Sequence, residues 1–90
     1  MRCQSKKVFV DAIRFEYANL DDLESFLGHP IFDMETETSH LDGTIKHWFV
    51  LPTLDGKVKV REGDYIVRYI EGDLIVRKPI QFKRQFDRID

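Results

Sequence analysis

Residues Leu51 to Asp87 read L-P-T-L-D-G-K-V-K-V-R-E-G-D-Y-I-V-R-Y-I-E-G-D-L-I-V-R-K-P-I-Q-F-K-R-Q-F-D. Asp55-Gly56 is a strong hairpin signal, because a type I′ turn needs positive φ at both central residues. It joins a Thr44–Leu51 run, rich in β formers (Ile45, Trp48, Phe49, Val50), to Lys57–Arg61. Glu62-Gly63-Asp64 turns the chain into Tyr65–Ile70, and Glu71-Gly72 turns it again into Asp73–Lys78. Pro79 cannot donate to a ladder but suits the first turn of a helix. Phe82, Phe86 and Ile89 then recur at helical spacing. The stretch predicts an antiparallel meander closed by a short helix.

Toward the N-terminus, Val8–Tyr17 alternates with apolar residues on both parities, which predicts a central strand or one bulged near Asp11. Asn19 is placed to cap a helix over 20–27, with Asp21, Asp22 and Glu24 favoured by its dipole and Gly28 at its end. His29-Pro30 breaks the helix. Ile31–Thr38 reads as extended, and Leu41-Asp42-Gly43 as a turn into the Trp48 strand. Residues 29–47 form either a hairpin or a loop. Pro52 marks an edge or a strand end. The expected core is Val10, Ile13, Leu23, Phe26, Leu27, Val50, Val58, Val60, Ile66, Val67, Leu74 and Val76.

Ninety residues, 42% of them hydrophobic and 33% charged, define a single α+β domain with a modest core. It comprises an N-terminal strand and short helix, a meander of four to five strands, and a short C-terminal helix. A homo-oligomer would bury more surface. The lone cysteine, Cys3, sits in an N-terminus expected to fray. One thiol makes no internal disulfide, which together with the lack of a signal peptide or membrane-length apolar run predicts a cytoplasmic protein. Net charge is −2, but residues 11–42 carry nine acids against one base.

Several segments resemble a family of small phage and prophage proteins. They are Lys6-Lys7-Val8-Phe9-Val10-Asp11-Ala12-Ile13-Arg14-Phe15, Asn19-Leu20-Asp21-Asp22-Leu23, Thr53-Leu54-Asp55-Gly56, Gly63-Asp64-Tyr65-Ile66-Val67, Gly72-Asp73, and Lys78-Pro79 with Phe82. The family pattern is a V-V-x-E-A-x-Q-W-like strand, an Asn-capped helix, T-L-E-G, G-D-W/Y-I-I, a second G-E/D turn and K-P-D-I-F. This chain departs from it at Leu74–Pro79, where the family carries F-Y-P-C-K-P. It also has Ile80 in place of an aspartate and Phe15 in place of a tryptophan. The family has no settled activity, so the resemblance implies a phage-type accessory protein and a fold rather than a reaction.

No motif supplies the role geometry of an enzyme, and the single glycines are turn residues rather than a phosphate cradle. His40 and His47 flank a turn with Glu35 and Glu37 nearby, but the spacing matches no ligand signature, so neither metal nor cofactor is expected. Lys57, Lys59 and Arg61 share a strand face, and Arg77, Lys78, Lys83, Arg84 and Arg88 lie near Phe82 and Phe86; both features suit nucleic acid, although a helical aromatic stripe is more often core. The leading expectation is a non-catalytic accessory protein that binds a host protein stoichiometrically. That partner is basic or nucleic-acid-binding, and a bacterial defence component is the specific version. The expected contact surface is acidic: Asp33, Glu35, Glu37 and Asp42 with Phe32 and Trp48. The alternative is a protein that sequesters a nucleotide messenger, with Arg61, Arg68, Arg77 and Lys78 on phosphates and Tyr65, Tyr69 or Trp48 stacked on a base; a nucleic-acid-binding regulator is the further alternative.

Overall fold

The computed structural model describes residues 1–5 and 8–88. Its elements are β1 (Arg2–Ser5), β2 (Val8–Arg14), a 3₁₀ turn (Tyr17–Asn19), α1 (Leu20–Leu27), β3 (Glu35–Thr38), β4 (Ile45–Thr53), β5 (Gly56–Arg61), β6 (Tyr65–Arg68), β7 (Leu74–Arg77), α2 (Pro79–Gln85) and β8 (Asp87–Arg88). The α+β class stands. The meander, however, is divided between two antiparallel sheets: five strands in the order β7-β6-β2-β1-β8, and three in the order β3-β4-β5. Lys6, Lys7 and Ile89 lie outside the described residues.

The double-sided pattern of β2 makes it the middle strand of the larger sheet. Its pairing runs without interruption from Asp11↔Arg68 to Arg14↔Tyr65, so there is no bulge at Asp11. One parity, Val10 and Ala12, enters a core with Cys3, Tyr65, Val67 and Ile75, covered by Phe82 and Phe86 of the α2 segment. The other side contributes Phe15 and Ile66 to a second core with Leu23 of α1 and Phe49, Leu51 and Val60 of the smaller sheet. The five-stranded sheet is thus sandwiched between α2 on one face and α1 with the smaller sheet on the other. Ring contacts tie these layers. Tyr65 stacks on Phe82 at 3.9 Å, and Phe15 meets Phe49 edge-on at 5.2 Å.

Four local expectations are corrected. Cys3 does not fray: β1 pairs with β2 and β8, and Cys3 is fully buried. Val50 is not core. The register Phe49↔Val60 and Leu51↔Val58 turns the odd residues of β4 inward and leaves Val50, opposite Lys59, exposed. The β4–β5 turn comes one residue early, at Leu54–Asp55; Gly56 already pairs with Thr53 and takes φ 91 there. Asn19 precedes α1 but makes no side-chain cap to it; its amide instead accepts from the Glu16 N–H and donates to the Arg14 carbonyl, closing the 3₁₀ turn.

The chain changes sheets at Arg61–Asp64. Gly63, at φ 95, donates its N–H to the Phe15 carbonyl at 2.7 Å, and Phe15 returns one to the Asp64 carbonyl at 2.8 Å. Asp64 is a buried carboxylate, 3% exposed, and so must be satisfied internally. It accepts from the Arg61 N–H at 2.9 Å and from Lys78 Nζ at 3.0 Å on both oxygens. Gly63-Asp64-Tyr65 and Lys78-Pro79 with Phe82 are therefore framework: they lock the sheet crossover to α2.

Candidate functional site

Strand β4 is the centre of the smaller sheet, and cross-strand pairs define its outer face. Glu35 lies opposite Trp48 and Trp48 opposite Arg61; Glu37 is opposite Lys46, Val50 opposite Lys59, and Pro52 opposite Lys57. The acidic residues and the basic stripe of the sequence reading thus occupy one surface. Lys59 donates to Glu37, Arg61 Nε approaches the same carboxylate at 3.7 Å, and Lys59 Nζ stands 4.0 Å from the Trp48 ring centre. The lysine bond, helped by both cations, holds the Glu37 carboxyl below the usual glutamate range. Trp48 is half-buried, and its indole N–H is buried with no partner among the described residues.

The base of the β3–β4 hairpin is anchored. His47 stacks on Tyr17 at 3.7 Å, and its Nδ1 lies 3.3 Å from Glu62, which also accepts from the Tyr17 N–H. Beyond His47 the face that is core at Phe49 and Leu51 is bare: Thr36, Thr38 and Ile45 are exposed. The tip is ordered by its own bonds. Ser39 and Thr44 pair through the backbone at 2.9 Å, and Asp42 accepts from the Thr44 N–H at 2.9 Å. Its contacts with Thr44, side chain first, lower the Asp42 carboxyl from its ordinary value. A concavity of about 240 Å³ opens among Glu37, Thr38, Ser39, Asp42, Thr44 and Lys46.

Three large apolar side chains stand in water here: Phe32 is 86% exposed, Leu41 99% and Ile45 60%. Asp33, Glu35 and Asp42 are exposed beside them in the chain, and no ion pair among the described residues engages any of the three. Of the expected partner surface, Glu35, Glu37 and Trp48 share the sheet's outer face. Asp42 sits at the hairpin turn, and Phe32 and Asp33 lie on the segment entering β3. Leu41 and Ile45 were missed. The available signal was that an apolar residue inside a tight turn points away from any core.

The alternative ligand residues are dispersed. Arg61 is on the smaller sheet. Arg68 lies on the α1 side of the larger one, 3.8 Å from Asp11 and 4.1 Å from the Phe26 ring, donating to the Phe26 carbonyl. Arg77 lies opposite Tyr65 and bonds Gln85 at 2.9 Å. Lys78 is held by Asp64, Tyr65 lies under Phe82, and Tyr69 packs against the α2-side core. Phe82 and Phe86 are buried, so neither is a base-stacking platform. A second cavity, of about 100 Å³, is lined by Arg2, Phe9, Val10, Asp11, Arg68 and Ile70. Among the described residues no cluster of His, Cys, Asp or Glu is arranged to hold a metal ion, and no helix is long and apolar enough to cross a membrane.

Set against family models, curated proteins and solved structures, the chain finds no match in any of the three comparisons.

Proposed function

We propose that the protein is a small non-catalytic accessory protein that works by stoichiometric docking of a partner protein on its β3–β4 hairpin. One observation carries this reading: three large apolar side chains are exposed on and beside a hairpin that lacks core support past His47, among acids without counter-ions. Leu41 and Ile45 lie on the tip side of His47 with Asp42 between them in the chain, whereas Phe32 precedes the other end of β3; exposed apolar residues set among unpaired charge mark interaction surfaces. The sequence's likeness to phage accessory proteins adds the context of a host protein as partner, with a basic defence component as the specific version. Nucleotide sequestration gains no support, because its four cations are dispersed and all four are paired internally.

Affinity capture from bacterial lysate with the wild-type chain and with Leu41→Asp, Ile45→Lys and Glu35→Lys tests the reading, with Arg84→Glu on α2 as the remote control. The expected result is one partner at unit stoichiometry, kept by Arg84→Glu and lost from the hairpin variants. Equal capture by all of them contradicts it.

A further inference from the structure

Strand β3 is a sheet edge with one filled side. Among the described residues it pairs with β4 alone. Antiparallel ladders alternate, so each residue directs both its N–H and its C=O to the same flank. Ser39 both donates to Thr44 and accepts from Gly43, which puts its backbone groups on the β4 flank. Two-residue alternation then turns Glu35 and Glu37 toward β4, and Thr36 and Thr38 outward. The Glu62 N–H on the His47 carbonyl fits the same phase from the far side of β4. Thr36 and Thr38 thus offer four backbone hydrogen-bonding groups to a further strand.

We infer that β3 accepts an added antiparallel strand from a basic extended segment of the partner, with Lys or Arg at alternate positions and β-branched apolar residues between them. This deepens the docking reading and rests on it. The register sets the pattern. Positions opposite Glu35 and Glu37 point to the outer face, where a cation meets the unpaired Glu35 carboxylate. Positions opposite Thr36 and Thr38 point to the bare inner face, against Thr36, Thr38 and exposed Ile45. Strand addition takes affinity from main-chain bonds and specificity from alternate side chains. Glu35 keeps an unpaired carboxylate on this edge, with Asp33 and Asp42 beside the strand in the chain, and this charge disfavours a second β3 and selects a basic occupant.

The probe is an acetylated, fluorescent peptide alternating Lys with Val, compared with its Glu analogue and with a form N-methylated on the amides that would face β3. Anisotropy is read against the full chain, Thr38→Pro and Glu35→Lys. Proline at residue 38 removes an outward N–H but no ladder bond, so the fold is retained, as edge strands tolerate proline. Expected are saturable binding of the Lys peptide and none of the other two, with roughly tenfold weakening by Thr38→Pro and severalfold by Glu35→Lys, as for losing about 1 kcal/mol or more of net hydrogen bonding. Undiminished binding of the N-methylated peptide overturns the inference, even should Thr38→Pro fail to fold, and so does absence of saturable binding. Concentration-dependent self-association abolished by Thr38→Pro would make a second copy the occupant and likewise overturn it. If the peptide arm fails while lysate capture still depends on the hairpin, strand addition falls and the docking reading stands. Capture indifferent to hairpin variants removes both.

Discussion

Asp64 shows how one residue can be fully explained without a reaction. A buried carboxylate between two sheets invites a catalytic reading, but each of its oxygens has a named donor, and the resulting knot holds the crossover. Asp64→Asn keeps the shape and loses the charge on the Lys78 contact; the expected cost is about 1–3 kcal/mol, read from the urea midpoint. Lys78→Met should cost at least as much as the aspartate change, because it strands the buried Asp64 charge on one backbone donor, whereas the half-exposed Lys78 ammonium returns to water when the aspartate charge is lost. Glu37 and Asp42 give a pH dependence of fixed sign. Both carboxyls are lowered in the folded state, so what they contribute to stability is present above their unfolded values and lost as pH falls through the lower folded ones. Trp48 is the only tryptophan and lies under Lys59, the partner of Glu37, so its emission should shift once pH falls below the ordinary glutamate range. Glu37→Gln should carry the shifted emission at neutral pH and flatten that acid transition.

Elements written by local rules were legible. Helix α1 runs over the expected Leu20–Leu27 and ends at Gly28, whose N–H reaches the Glu24 carbonyl. The apolar residues on both faces of Val8–Arg14 announced a central strand, and Val60, Ile66 and Val67 are core as expected. What failed depended on register or on distant partners. Val50 was placed inside because strand 45–53 is apolar at both parities near its middle, and only pairing with β5 chooses Phe49 and Leu51. Pro52, by contrast, meets the expectation of an edge or strand end: it is the penultimate residue of β4, on the flank that faces β3, whose pairing stops at Trp48. Cys3 looked terminal, yet its strand is sealed by β8 from the opposite end of the chain, a contact no local pattern encodes. Helix α2 is short and depends on its aromatic docking, so Phe82→Ala should cost about 3–5 kcal/mol and lower the thermal midpoint well beyond any substitution at exposed Lys83.

At the scale of the whole molecule, the acidic segment of the sequence is not one acidic surface. Folding brings Glu37 against Lys59 and Arg61 and leaves Asp33, Glu35 and Asp42 to define the charge of the hairpin side. Of the expected site, the outer-face trio was foreseeable from residue type; the pairing of Glu37 with β5 was not, because that needs the β3-β4-β5 order. The molecule is elongated, 43 × 27 × 24 Å, and its core residues lie in two clusters that stop short of the hairpin tip. In the isolated protein, amide exchange should therefore be fast at Thr36 and Thr38 and slower at Glu35 and Glu37, a residue-resolved check on the phase of β3. The most direct test of hairpin docking is the same exchange measurement on the complex captured from lysate. The account predicts new protection concentrated in residues 32–48, with Thr36 and Thr38 slowed most. Protection confined to the Phe9, Arg68 and Ile70 corner, with hairpin amides exchanging as in the free chain, would contradict it.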